Sequence, residues 1–137
     1  MDINIDSSYH EKFRALNIAI VYLFGSYAED KAIPLSDIDI GIVLMQRTDA
    51  GAEENIGKIY NQAYDVFTDI FPSRSLDIVF LHRAPLELRL DVINHGKVLY
   101  ESSHDDRLDF EERTAILYAD FKPLLNEINE TILNRVR

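Results

Sequence analysis

Cysteine is absent from this chain of 137 residues. That single absence excludes a disulfide framework, thiolate-held zinc and cysteine nucleophiles together, and it fits an intracellular protein. Glycine (5) and proline (4) are few and scattered as punctuation, with no Gly/Ser linker, internal repeat or low-complexity tract. Positive charge is also scarce. The chain has 14 Lys+Arg against 24 Asp+Glu, a formal net charge of −10. Broad wrapping by nucleic acid needs Lys and Arg on the phosphates, so direct nucleic-acid binding is not expected, and a partner with a basic face is favoured instead. The longest apolar run, Ile18–Phe24, is far too short to cross a bilayer. The acidic N-terminal stretch MDINIDSSYHEKF lacks the apolar centre of a secretory signal. These absences together describe a soluble, cytoplasmic, acidic protein with one domain over residues 1–137. A domain of that length buries roughly two-thirds of its unfolded surface, enough for a core of its own.

What is present reads as strands alternating with helices. Residues 9–16 suggest a short helix with Phe13 and Leu16 on one side, and Ile18–Phe24 is a β-branched and aromatic run of strand length. Gly25-Ser26 breaks that run, and residues 27–32 have room for one helical turn before Pro34. In residues 37–44, DIDIGIVL, strict alternation places Ile38, Ile40 and Ile42 on one face of a strand and Asp37, Asp39 and Gly41 on the other. Residues 48–52 are loop-like. Over residues 53–71, Ile56, Ile59, Tyr60, Ala63, Val66, Phe67 and Ile70 recur at helical spacing, and Pro72 closes the segment. Residues 75–81 read as a third strand and 85–95 as a helix with Pro85 at its start and Gly96 as its stop signal. A short fourth strand is expected at 98–100. From Arg107 onward the chain reads as helix, with Leu117, Phe121, Leu124, Ile128 and Ile132 in a stripe that by default covers the sheet, and Pro123 is expected to kink or split it. The resulting fold class is α+β (α/β-like): a small mixed sheet flanked by helices, with Ile18–Phe24 as a central strand.

The chemistry concentrates in residues 23–44, LFGSYAEDKAIPLSDIDIGIVL. Gly25-Ser26 stands at the end of one strand, and Asp37-x-Asp39 opens the next after the ten residues 27–36. Asp37 and Asp39 are two apart on a strand, so their carboxylates leave the same face about 6.6 Å apart along it. Oxygen-only donors suit Mg²⁺, which keeps substrate phosphates in its shell. A third carboxylate would complete a two-metal site, and Asp77, which opens an otherwise apolar strand, is the candidate. Gly25 permits close backbone approach, and Ser26 offers a hydroxyl and free amides to phosphate oxygens. Each piece alone has an ordinary reading: a plain turn at Gly25-Ser26, a strand-opening turn at Ser36-Asp37, an aggregation-blocking edge charge at Asp77. Their conjunction points to a nucleoside triphosphate held by Mg²⁺.

On these residues the chain resembles the nucleotidyltransferase superfamily of the DNA polymerase β type, whose signature is Gly-Ser, a spacer, Asp-x-Asp and a later Asp. Within it the chain most resembles the minimal nucleotidyltransferases, the MntA-type antitoxins of HEPN/MNT pairs. Asp109-Phe110-Glu111 and Tyr118-Ala119-Asp120-Phe121 in the tail add to that likeness. The resemblance implies that Gly25, Ser26 and Ser36 bind the nucleotide. It also implies that Asp37 and Asp39 coordinate two Mg²⁺ ions, and that Asp77 binds the catalytic metal and helps activate the attacking hydroxyl. It further implies transfer of AMP from ATP to a tyrosine of a cognate HEPN-domain RNase toxin, within a hetero-oligomer. One departure stands out: many members carry Arg-Gly where this chain has Glu29-Asp30, which adds negative charge near a triphosphate. Lys31, Arg74, Arg83 and Arg89 are compensating cations to weigh against a default reading as ordinary surface charge.

Two rival functions follow from the same residues. One is nucleotidyl transfer to a small molecule of aminoglycoside type, and a chain this short is not expected to bring the extra helical domain that shapes such a pocket. The other is a non-catalytic antitoxin acting by stoichiometric binding, which the three retained carboxylates argue against. The four His show no ligand spacing. His82 alone, just after the third strand, is a candidate to support the site from behind. No Walker A loop, GxGxxG, HExxH or GxSxG motif is present.

Overall fold

The run Ile18–Phe24 forms strand β1, and six of its seven residues are buried. In the computed structural model, which describes residues 3–32, 36–45 and 55–136, it lies inside a four-stranded sheet. β1 pairs antiparallel with β2 (Ile38–Leu44) on one side and with β4 (Lys97–Glu101) on the other. β3 (Leu76–Phe80) pairs parallel with β2, and the sheet order is β3-β2-β1-β4. The sheet is therefore mixed and its flanks helical, the α+β arrangement expected. A parallel neighbour requires a crossover. Helix α2 (Ile56–Ile70) supplies it, burying Ala63 and Phe67 on the face read from the sequence. Residues 53 and 54 of that expected helix and the expected loop at 48–52 lie outside the described residues.

The pleat of β2 divides the interior in two. Ile38, Ile40 and Ile42 join Phe13, Ala63, Phe67 and Tyr27 in one core. Tyr22, Val43, Leu81 and Val92 make the other. Phe13 comes from α1 (His10–Ala15), which is preceded by a 3₁₀ turn at Ser7–Tyr9, and α1 gives way to β1 through Asn17 with φ 59°. Helix α3 (Leu86–His95) follows Pro85 and ends at Gly96. Space, rather than left-handed backbone, requires this glycine: its φ is −80°, and a Cβ there would stand 2.5 Å from the Val92 carbonyl oxygen and 2.9 Å from that of Leu23.

The last helix, α4 (His104–Val136), corrects two expectations. It starts before Arg107 and runs unbroken through Pro123. Ala119, whose carbonyl finds no N–H on the proline, is exposed, so the missing bond falls on the solvent side of the helix. Nor does the apolar stripe cover the sheet: Leu117, Phe121, Leu124, Ile128 and Ile132 are 40–54% exposed. Among the described residues the root of the helix is the part that docks. There Phe110 packs on the second core, Thr114 is buried, the Tyr22 hydroxyl donates to Glu111 at 2.9 Å, and Arg107 bridges Glu101 and Glu111. Burial pushes the Tyr22 hydroxyl pKa up, and the Glu111 bond adds to the rise. The cause of the bare stripe is length. A helix of 33 residues runs about 50 Å, whereas strands of five to seven residues give a sheet only about 17–23 Å deep.

Candidate active site

Three elements meet at the end of the sheet where β1 finishes and β2 and β3 begin. Phe24, the last residue of β1, lies opposite Asp39 in the antiparallel ladder, and Asp39 lies opposite Asp77 in the parallel one. Two carboxylates far apart in sequence thus become cross-strand neighbours. Asp37 stands just before β2, exposed, as is Asp77, while Asp39 is partly buried. The segment before β3 is tied to this edge by the Ile38 amide, which donates to the Ser75 carbonyl at 2.8 Å. Burial raises the Asp39 pKa above its ordinary value, and the neighbouring Asp77 and Asp37 raise it further.

Immediately after Phe24 the chain turns through Gly25-Ser26-Tyr27, one 3₁₀ turn. The amides of Ala28 and Glu29 donate to the Gly25 carbonyl, and that of Lys31 to the Ser26 carbonyl at 2.8 Å. Gly25 is required twice over. Its φ is +72°, and a Cβ built there would collide with the Asp39 carboxylate. The bare Cα is what lets the Gly25-Ser26 turn sit directly against the acid. Ser36 is partly buried one residue before Asp37, at the mouth of β2. All six residues singled out in the sequence therefore converge on one sheet end.

The donor set is carboxylate and hydroxyl oxygen, which fits Mg²⁺ by chemistry. The pressure on Asp39 to stay protonated is the condition a divalent cation would relieve. Among the described residues no three acidic or imidazole side chains already stand at metal-holding geometry. His82 does not support the site: β3 runs away from Asp77, and His82 lies beyond its far end, where burial and then Arg83 and Arg89 lower its pKa. Arg89 is engaged there too, donating to the Ala84 carbonyl at 3.0 Å. Nearer the site, Lys97 of β4 reaches Asp30 at 4.0 Å. A contact with no sequence signal stacks Arg74 over the Tyr27 ring, 4.9 Å from its centroid. Arg74 and Tyr27 are far apart in the chain and share no motif.

A Gly-Ser turn packed against an acid pair on two strands of a mixed sheet defines a nucleotidyltransferase. The chain belongs to the polymerase beta nucleotidyltransferase family, whose pattern matches residues 8–105. Among curated proteins it is similar to the protein adenylyltransferase MntA of Shewanella oneidensis, with 30% identity over 101 residues, 74% of this chain and 66% of that protein. The aligned part thus spans about two-thirds of the relative's length. Among solved structures it resembles a toxin–antitoxin bound to AMP-PNP, with 25% identity, TM-score 0.63, and 94% and 99% of the two chains covered. The fold is shared as well with the complex of a tri-AMPylated Shewanella oneidensis HEPN toxin and its MNT antitoxin, at 23% identity, TM-score 0.58 and the same coverage.

Proposed function

We propose that this chain is a protein adenylyltransferase that transfers AMP from ATP to a tyrosine of a cognate HEPN-domain RNase toxin and thereby acts as its antitoxin. The observation that carries the reading is the packing of Gly25 against Asp39, with Asp77 opposite it in the parallel register. The adenylyltransferase relative and the AMP-PNP-bound neighbour support the donor nucleotide, and the HEPN complex supports the acceptor. The net charge of −10 suits a basic partner surface. No described helix is long and apolar enough to cross a membrane. We place the reaction in the cytoplasm, where ATP is available, with residues 1–137 acting as one domain.

In this reading Gly25 and Ser26 receive the phosphates at the turn, with Ser36 beside them. Asp37, Asp39 and Asp77 would hold Mg²⁺, two ions in the full site, which when bound neutralises charge on the phosphates and makes the acceptor hydroxyl easier to ionise. The acceptor oxygen forms a bond to the α-phosphorus, the bond from that phosphorus to the bridging oxygen breaks, and pyrophosphate leaves with the electron pair. The proton of the acceptor hydroxyl passes to a carboxylate, a role we assign to Asp77, exposed at the edge. The acid pair is costly to fold, since Asp39 carries both burial and like charge. That argues against an antitoxin that works by binding alone.

The test is intact-mass spectrometry of the cognate HEPN protein after incubation with this chain, ATP and Mg²⁺. A gain of whole AMP units, absent with the Asp37→Ala/Asp39→Ala double variant, is the expected result. A stable complex without mass gain would establish the binding antitoxin in its place, and no complex at all would redirect the search to small-molecule acceptors.

A further inference from the structure

The sheet end that must receive a polyphosphate is strongly negative. Asp37, Asp39 and Asp77 ring it, and Glu29 and Asp30 follow the turn. Cations bound to the carboxylates can serve the phosphate at which reaction occurs, but the tail beyond it carries further charge and needs a partner of its own. Few side chains qualify. Arg83 and Arg89 lie at the opposite end of β3 and Lys97 faces Asp30, which leaves Lys31, exposed just after the turn, and Arg74, which stacks on it.

We propose that Arg74 holds the polyphosphate tail of the bound nucleotide, an inference that rests on the nucleotidyl-transfer reading above. Three observations place and hold its guanidinium. It stacks over the ring of Tyr27, the residue that directly follows Gly25-Ser26 in the same turn. Its loop is pinned to the acid-bearing edge, since the next residue, Ser75, accepts the Ile38 amide between Asp37 and Asp39. The residue before it, Ser73, is held at φ 60°, a left-handed conformation that costs a non-glycine residue about 1 kcal/mol or more. Yet the guanidinium has no ion pair among the described residues, and the side chain is exposed. An arginine anchored by its flat face keeps its N–H edge free, and that edge matches phosphate oxygens two at a time. Tyr27 is the platform: its ring is buried in the core beneath, and its hydroxyl has no hydrogen-bond partner among the described residues, so the residue serves through the ring.

The decisive experiment is calorimetric titration of the 137-residue chain with AMP-PNP and, separately, with AMP, each with Mg²⁺. Arg74→Gln is expected to weaken AMP-PNP binding tenfold or more while AMP binding changes less than twofold, because only the tail is lost. Arg74→Lys, which keeps the charge but not the flat stacking face, should fall between. Tyr27→Phe should bind as the parent does. Equal AMP-PNP affinity in Arg74→Gln and the parent overturns the inference, as does an equal loss for both ligands with a lowered melting temperature, which would mark Arg74 as a structural clamp. A parent that binds neither nucleotide overturns the nucleotidyl-transfer reading itself, an outcome distinct from either.

Discussion

The two faces of β2 carry different work. Ile38, Ile40 and Ile42 point into the first core, each at most 2% exposed. One residue out of step, Asp39 turns its carboxylate to the Gly25 turn, and Gly41 leaves the room that the Leu81 side chain fills, 2.8 Å from where a Cβ would stand. The pleat thus keeps the carboxylate off the isoleucine face, on the side that farther along the strand carries the second core at Val43. A slip of one residue in register would exchange the two faces. The comparison teaches that the isoleucine face holds down a face that repels itself: the carboxylates are retained against their own burial and mutual charge, and the hydrophobic side makes that tolerable.

Substitutions can sharpen or break this contrast. The largest effect is expected from Asp37→Ala with Asp39→Ala, which should lower AMP transfer about a thousandfold or more in a rate assay while the circular dichroism spectrum stays that of the parent. Unfolding of that double variant would show the two faces to be inseparable. Next, Ile40→Ala should cost about 2–5 kcal/mol by urea denaturation, the range for a fully buried large-to-small change, with the nucleotide affinity of the folded fraction retained.

Smaller but more diagnostic is the pH dependence of Asp39. Its folded-state pKa lies above its unfolded value of 3.8, so the folded chain holds the proton more tightly. Asp39 therefore detracts least from stability below pH 3.8, and its penalty grows as pH rises through the folded pKa. Asp39→Asn should remove that slope, giving a melting temperature advantage over the parent at pH 7 that shrinks towards pH 4, and Mg²⁺ should narrow the gap at pH 7. An advantage that is the same at both pH values would remove the charge argument. The smallest effect belongs to an isoleucine elsewhere: Ile128→Ser, 46% exposed on α4, should change the stability of the isolated chain by less than about 0.5 kcal/mol.

Much of the site was legible because its signals are local. Alternation in DIDIGIVL determines which side chains share a face, and a Gly at the end of an apolar strand announces a turn. Asp77 was legible as an oddity in an apolar strand. Its position opposite Asp39 depends on a parallel register that is set through the α2 crossover and carries no local mark. The Arg74–Tyr27 contact was illegible for the same reason, since it joins a loop to a turn across the sheet. The stripe on α4 shows the opposite failure. Its periodicity is real, and Phe110, Thr114, Leu117, Phe121, Leu124, Ile128 and Ile132 share one face, but periodicity says nothing about how far the sheet beneath extends.

The α4 helix is also a lever. Its fulcrum is the root, where Tyr22, Glu111, Arg107 and Glu101 fix its direction. Beyond Thr114 an arm of about 33 Å continues, at 1.5 Å per residue, with no buried residue among those described. Rotating the root by a few degrees swings the tip by about 2–3 Å, more than a hydrogen bond tolerates. Loosening Tyr22 would therefore be felt less in the core that surrounds it than at the far tip, where aim depends on how firmly the hinge is set.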